Sequence, residues 1–99
     1  LTPNEQIHFV HILREALVNV EKHARASSVR VTLSRGADDM FVLRVQDDGV
    51  GIPAAPGRYK HFGLSIMKER AEALHGTLTV APAEGGGTCV TLVVPERRD

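Results

Sequence analysis

The chain is organised around residues 45–52, which read Val45-Gln46-Asp47-Asp48-Gly49-Val50-Gly51-Ile52. Before Asp47, apolar and polar side chains alternate from Met40 to Gln46, which predicts a strand with one apolar face. One further step of this alternation places Asp47 on the apolar face, in line with Leu43 and Val45. An ionised carboxylate on such a face is costly unless a donor meets it, so we expect Asp47 to accept a hydrogen bond.

Two glycines, Gly49 and Gly51, follow Asp47 at alternate positions. Glycine permits positive φ and lets another molecule approach the backbone closely. A buried acceptor beside such a backbone suits a planar ligand with an exocyclic amine, such as adenine. The alternative is a strand that ends in an Asp-Gly turn, where Asp47 bonds its own backbone. The residues alone leave both interpretations open.

The composition restricts the class of protein. A length of 99 residues predicts one small domain. The 12 basic residues balance the 12 acidic ones, so no net charge attracts nucleic acid or anionic lipid. The sequence has no apolar run long enough for a bilayer and no signal-peptide pattern. A single cysteine, Cys89, excludes an internal disulfide and fits a reducing compartment. The abrupt start at a helix cap predicts a piece of a longer protein.

A first helix is predicted from Pro3 to Ala24, where Thr2 and Glu5 have the spacing of a capping box. Apolar side chains recur along it at steps of three and four residues, which predicts one apolar stripe. The members of this stripe are Val10, Leu13, Leu17, Val20 and Ala24.

The same helix carries a polar stripe that is predicted to lie roughly opposite the apolar one. It consists of Glu15, Asn19 and Lys22, with His23 beside them. An amide oxygen such as that of Asn19 is a hard ligand suited to Mg²⁺, and Lys22 can meet phosphate. The alternative is a polar face that is only solvated.

Two strands with a short link are predicted next. Val29, Val31 and Leu33 alternate with polar residues, which predicts a half-buried strand. A turn at residues 35–39 leads into the strand that ends near Asp47, so the two strands should form an antiparallel hairpin.

A loop of about ten residues follows, from Ile52 to Phe62, and it is long for a compact domain. Gly63 then opens a second helix, whose expected apolar stripe is Leu64, Met67, Ala71 and Leu74. A helix N-terminus after a basic loop is a natural anion site, although a merely solvated loop is equally compatible. Gly76 is expected to end the helix.

The last third predicts a second hairpin, from residues 77–80 and 88–94. Its link contains Gly85-Gly86-Gly87, which suggests close approach by a ligand or by the preceding loop; a floppy turn is the alternative. The order helix, two strands, helix, two strands predicts an α+β fold. We expect helices on one face of a mostly antiparallel sheet.

Four motifs on these elements resemble those of a known family: the ATP-binding catalytic domain of bacterial two-component sensor histidine kinases. Its superfamily is shared with DNA gyrase, the mismatch-repair ATPase and a heat-shock chaperone. Residues 14–24 resemble the family's N box, and residues 47–51 its first glycine box. Residues 62–71 resemble the second glycine box, and residues 85–88 the third. The short loop before the second helix is similar to the short-lid subfamily that includes the nitrate/nitrite sensors.

The resemblance implies a Bergerat-type two-layer α/β sandwich over residues 1–99, with ATP and Mg²⁺ as cofactors. Glu15 would be the general base, and Asn19 would hold the metal. Lys22 and His23 would lie near the phosphates.

The resemblance also assigns the contacts to adenine and the remaining contacts to the nucleotide to the three glycine boxes. Asp47 would accept a hydrogen bond from the adenine amino group, and Thr88 would support the same ring. The remaining contacts would come from Gly49, Gly51, Gly63 and Leu64.

The implied function is transfer of the γ-phosphate of ATP to a histidine on an upstream dimerisation domain that lies outside these residues. The parent would be a homodimeric inner-membrane sensor that signals to a response regulator and keeps this domain in the cytoplasm. The chain alone would be a monomer and would not label itself. The alternatives are another ATPase of the superfamily, such as an anti-sigma-type serine kinase, or a non-catalytic nucleotide-binding module.

Overall fold

The computed structural model describes residues 2–21, 27–36, 39–49, 64–83 and 85–95. Two helices and four strands occur in these ranges, in the predicted order: α1 Pro3–Asn19, β1 Val29–Arg35, β2 Met40–Asp47, α2 Leu64–Ala73, β3 Thr77–Pro82 and β4 Thr88–Pro95. Neither described helix has the length and apolar character needed to cross a membrane.

The four strands form one sheet in the order β1-β2-β4-β3. Every neighbouring pair is antiparallel, so both predicted hairpins are confirmed and β2 joins β4 at the centre of the sheet. Alternate residues of β2 and β4 are buried, and they share one core with residues of both helices. The α+β prediction, with helices on one face of an antiparallel sheet, is therefore confirmed.

The core fills the space between the helices and the sheet. Its centre is Met67 of α2, which has no exposed surface. The other buried members are Ile12, Ala16, Leu43, Val45, Ala71, Leu74, Val90, Leu92 and Val94. Burying one such large side chain contributes roughly 1.5–3 kcal/mol, so this cluster holds the two layers together. At the edge of the layer, Nη1 of Arg70 and Nδ1 of His8 lie 3.0 Å apart and join α2 to α1.

The start of α1 is capped as predicted. The Thr2 hydroxyl accepts a hydrogen bond from the Glu5 N–H at 3.2 Å, and a Glu5 carboxylate oxygen accepts one from the Thr2 N–H at 2.9 Å. The two bonds satisfy donors that a helix N-terminus otherwise leaves unpaired. The helix ends at Asn19, and the predicted continuation beyond residue 21 lies outside the described residues.

The predicted apolar stripe of α1 was partly wrong. Ile12 and Ala16 are the buried residues, whereas Val10 is 52% exposed and Leu17 is 37% exposed. Two predicted members pack partly buried against the core, Leu13 and Val20. The helix carries apolar side chains on two neighbouring stripes, and the packing of α2 and the sheet selects one of them.

Strand β1 was predicted to be half-buried, and this was also wrong. Val29 and Val31 are 41% and 43% exposed, and Leu33 is 61% exposed. They pair with Asp47, Val45 and Leu43, so they share the face on which the helices pack. The difference arises because β1 is an edge strand, whereas the helices pack over β2, β4 and β3.

The end of α2 lies where Gly76 predicted it, but a different residue has the left-handed conformation. His75 has φ +57, while the N–H of Gly76 donates to Ala71 O at 2.8 Å and that of His75 to Glu72 O at 2.9 Å. This is a Schellman motif with histidine at its left-handed position. Glycine is needed at residue 76 because a Cβ there would stand 2.6 Å from Val93 O.

Candidate functional site

Asp47 is the last residue of β2 and lies on the helix-facing side of the sheet. The side chains of Leu43, Val45 and Asp47 are 4%, 2% and 7% exposed, whereas Arg44 between them is exposed. The alternation of β2 therefore brings a carboxylate to the border of the apolar core, as predicted.

The two oxygens of Asp47 have different surroundings. Oδ1 accepts a hydrogen bond from the Gly49 N–H at 2.8 Å, which closes an Asp-Gly turn. Within the described part of the chain, no hydrogen bond reaches Oδ2. Buried polar atoms are nearly always paired, so Oδ2 has room for one further donor. The turn interpretation thus applies to one oxygen and leaves the other available for an amine.

Thr88 is the second buried polar residue at this end of the sheet. It is 6% exposed and begins β4. The β2–β4 register pairs Gln46 with Cys89, so one further step sets Thr88 opposite Asp47. Directly opposed residues of antiparallel strands have Cα atoms about 4.5–5.5 Å apart. The structure therefore brings together the two residues that the family resemblance assigned to the same ring.

Glu15 and Asn19 lie one turn apart on α1, and both are half-buried. Ile12 and Ala16 on the same helix belong to the buried core that also contains Val45 of β2. Glu15 and Asn19 therefore border the packed face of α1 and lie on the same side of the sheet as Asp47. The prediction that they oppose the buried stripe is corrected, because that stripe itself is displaced around the helix.

The remaining predicted residues cannot be placed in the same way. Lys22, His23, Gly51 and Gly63 lie outside the described residues. The backbone of Leu64 begins α2, whereas its side chain is outside the described part. The phosphate contacts expected from the loop before α2 accordingly stay predictions.

The sequence analysis missed one residue of this region, Asp48. Its carboxylate accepts hydrogen bonds from the backbone N–H groups of Ser27 and Ser28 at 2.9 and 3.0 Å, and from their hydroxyls at 2.7 and 3.2 Å. These bonds, the Ser27 hydroxyl first, lower the pKa of Asp48 from 3.8 to about 2. The signal was present, because a hairpin that pairs Val29 with Asp47 also sets the two serines beside Asp48.

The side chains of four residues, Asp47, Thr88, Glu15 and Asn19, have the chemistry to bind a nucleotide and a hard metal ion. The Oδ2 atom of Asp47 can accept from an exocyclic amine, and the Thr88 hydroxyl can donate or accept beside it. Carboxylate and amide oxygens, as on Glu15 and Asn19, are the donors that Mg²⁺ prefers. When bound, the metal would neutralise phosphate charge.

Comparison with known proteins also indicates a nucleotide-binding domain. The family of histidine kinase-, DNA gyrase B- and HSP90-like ATPases matches residues 4–98. The chain is 42% identical over 87 residues to the nitrate/nitrite sensor protein NarQ of Escherichia coli K12, which covers 88% of this chain and 15% of NarQ. It is 43% identical over 99 residues to the nitrate/nitrite sensor protein NarX of the same strain, covering 98% of this chain and 16% of NarX. The chain thus spans about one sixth of these relatives.

The fold has counterparts among solved structures. The crystal structure of the ATP-binding domain of PrrB from Mycobacterium tuberculosis superposes with a TM-score of 0.75 at 22% sequence identity. The superposition covers 93% of this chain and 69% of that one. At this level of identity the likeness concerns the fold.

Proposed function

Because the chain belongs to the family of histidine kinase-, DNA gyrase B- and HSP90-like ATPases, we propose that it is the catalytic ATP-binding domain of a two-component sensor kinase. In this proposal residues 1–99 are one domain of a longer, homodimeric protein. The domain binds Mg-ATP and transfers the γ-phosphate to a histidine on an upstream dimerisation domain. A response regulator then receives the phosphoryl group.

The observation that carries the proposal is the buried carboxylate of Asp47. Its Oδ1 accepts a hydrogen bond from the Gly49 N–H, which orients the carboxylate and leaves its Oδ2 for a second donor. The exocyclic amine of adenine is such a donor. Thr88 lies opposite, where its hydroxyl supports the same ring directly or through water. Guanine carries a carbonyl in place of this amine. Its oxygen and Oδ2 of Asp47 would both be acceptors, so no hydrogen bond could form between them.

The chemical step requires positioning and charge stabilisation more than covalent help from the protein. One imidazole nitrogen of the acceptor histidine attacks the γ-phosphorus, and the bond from that phosphorus to the oxygen of ADP breaks. Glu15 accepts the proton of the other imidazole nitrogen as general base, which directs the attacking nitrogen and removes the positive charge that develops on the ring. Asn19, one turn away on the same helix, would hold the metal near the phosphates.

Calorimetry with ATP, ADP and GTP on the 99-residue protein tests the proposal. We expect ATP and ADP to bind in the presence of Mg²⁺ and GTP to bind at least tenfold more weakly, which corresponds to about 1.4 kcal/mol. Equal affinity for ATP and GTP would show that Asp47 does not read the amine. The absence of nucleotide binding would refute the proposed function.

A further inference from the structure

Two consecutive carboxylates, Asp47 and Asp48, end β2 and have opposite environments. Asp47 is buried at the candidate adenine site, whereas Asp48 is exposed. An exposed carboxylate needs no protein partner, because water can satisfy it. Asp48 nevertheless has four donors among the described residues, and all of them belong to Ser27 and Ser28, which directly precede β1.

These bonds lie where the backbone pairing of β1 and β2 ends. The regular register stops at Val29 and Asp47. Beyond it, the backbone contributes the Asp48 N–H to Ser28 O, at 3.4 Å. A bond of this length is weak. The carboxylate of Asp48 therefore holds the strand ends together where the ladder no longer does.

The strand end that Asp48 holds is next to Asp47 of the candidate site. On β2, Asp47 precedes it directly, and Gly49 after it donates to Asp47 Oδ1. We propose that Asp48 is a positioning residue, which fixes the start of β1 against the Asp47–Gly49 turn and so orients the carboxylate that binds adenine. This inference rests on the proposed ATP-binding function.

The direction of the change in ATP affinity distinguishes a positioning role of Asp48 from an effect of its charge. Asp48→Ala removes a negative charge, and this change alone would favour a polyanionic nucleotide. Weaker ATP binding by Asp48→Ala would therefore have to come from lost positioning. Asp48→Asn keeps an oxygen for the two serine N–H groups, and its amide NH₂ can donate to the hydroxyls, which can accept as well as donate. The asparagine variant should consequently bind ATP nearly as well as the wild type.

The experiment measures ATP affinity by calorimetry for the wild type, Asp48→Ala, Asp48→Asn and the Ser27→Ala/Ser28→Ala double variant. We expect about a tenfold loss for Asp48→Ala, a loss within about threefold for Asp48→Asn, and an intermediate loss for the serine variant, which keeps both N–H bonds. Combining Asp48→Ala with the serine changes should add little, because the same bonds are removed twice.

A control variant excludes general destabilisation. Leu78→Ala removes a partly buried side chain of β3 that packs on the core, away from the β1–β2 end. It should lower the stability of the fold and leave ATP affinity unchanged. Hydrogen exchange at the amides of Ser27 and Ser28 should accelerate in Asp48→Ala and stay slow in Leu78→Ala.

Each contrary result has a separate meaning. The inference is overturned if folded Asp48→Ala binds ATP like the wild type, if Asp48→Asn loses as much as Asp48→Ala, or if Leu78→Ala loses equally. The serine double variant, which removes only the hydroxyl bonds, provides the same test if Asp48→Ala does not fold. Failure of the wild type to bind ATP would overturn the proposed function and this inference with it.

Discussion

Gly87 lies directly against the backbone of Asp47. A Cβ at Gly87 would overlap the carbonyl oxygen of Asp47, stand 2.7 Å from its carbonyl carbon and come within 3.0 Å of its Oδ1. The run Gly85-Gly86-Gly87 was predicted to mark close approach by a ligand or the loop, or else a floppy turn. Its third glycine contacts this chain's own β2, whereas a Cβ at Gly85 or Gly86 would have no neighbour within 4 Å among the described residues.

The first prediction follows from this contact. Gly87→Ala should displace Asp47 and abolish measurable ATP binding, since backbone atoms cannot move aside as a flexible side chain does. Gly85→Ala is the matched control, because Gly85 has φ +84 and Gly87 has φ +87, so the backbone strain is similar and only the neighbour differs. Calorimetry and circular dichroism on both variants check the result. Equal ATP affinity in the two variants would contradict it.

A second prediction concerns Asp47 itself. In Asp47→Asn the Gly49 N–H must still donate to an oxygen, so the amide oxygen takes the position of Oδ1. The NH₂ group then occupies the position of Oδ2. There it faces the adenine amine, and two donors cannot form a hydrogen bond with each other. We therefore expect Asp47→Asn to lose about 1.5–3 kcal/mol of adenine nucleotide affinity, despite its near-identical shape. Calorimetry with ADP measures the loss, and Gln46→Glu, on the opposite face of β2, is the control for a carboxylate–amide exchange. Retained affinity in Asp47→Asn would show that Oδ2 does not accept the amine.

The sequence was sufficient to predict the placement of Asp47, because β2 is covered on one face and its alternation reports burial directly. Thr88 was assigned to the adenine ring only by the family resemblance. The same alternation in β1 gave a wrong prediction of burial, because a period of two does not distinguish an edge strand from a central one. Exposure of Val29, Val31 and Leu33 depends on where the helices pack.

The local sequence pattern was also insufficient to predict which face of α1 is buried. Ile7, Val10 and Leu17 are apolar yet exposed, so hydrophobicity alone does not select the buried stripe. The selection is made by tertiary contact, with Met67 of α2 at the centre. Likewise, a glycine run shows that backbone freedom is needed, but only the fold shows that Gly87 meets Asp47.

The third prediction concerns acid stability. Hydrogen bonds, the Ser27 hydroxyl first, lower the pKa of Asp48 from 3.8 to about 2 in the folded protein. A carboxyl whose folded pKa is depressed stabilises the fold above its unfolded pKa, and this contribution disappears as the pH falls through the folded pKa. The stability difference between the wild type and Asp48→Asn should therefore be constant above about pH 4.5 and decline towards pH 2.

Urea unfolding of both proteins from pH 7 to pH 2 measures this difference. A stability difference that does not vary between pH 4 and pH 2 would contradict the assigned hydrogen bonds.

The fourth prediction concerns the metal. If the amide oxygen of Asn19 holds Mg²⁺, Asn19→Ala should abolish the gain in ATP affinity that Mg²⁺ provides, whereas Asn19→Asp should keep part of it because a carboxylate is also a hard ligand. Calorimetry with ATP in Mg²⁺ and in EDTA measures this gain. Asn4→Ala, on the exposed first turn of the same helix, is the control and should behave like the wild type. If Mg²⁺ raises the ATP affinity of Asn19→Ala as much as that of the wild type, Asn19 is not a ligand of the metal.

The last prediction separates nucleotide binding from phosphoryl transfer. The isolated chain should bind ATP without labelling itself, because the proposed function assigns the acceptor histidine to a separate upstream segment. Holding the acceptor and the γ-phosphate together can contribute about 7–11 kcal/mol to lowering the barrier, and this is what the isolated chain lacks. Adding an upstream dimerisation segment of the family in trans should give slow, acid-labile labelling of that segment from radiolabelled ATP.

Glu15→Gln should remove this labelling while leaving ATP affinity within about twofold, because an amide keeps the shape of the side chain but cannot take the imidazole proton. Glu72→Gln makes the same exchange on the exposed side of α2 and should label at the wild-type rate. Acid-labile label on the isolated chain, at His8, His11 or elsewhere, would falsify the assignment of the acceptor to a separate segment. Wild-type labelling by Glu15→Gln would remove Glu15 from the role of general base while leaving the nucleotide site, which rests on Asp47, intact.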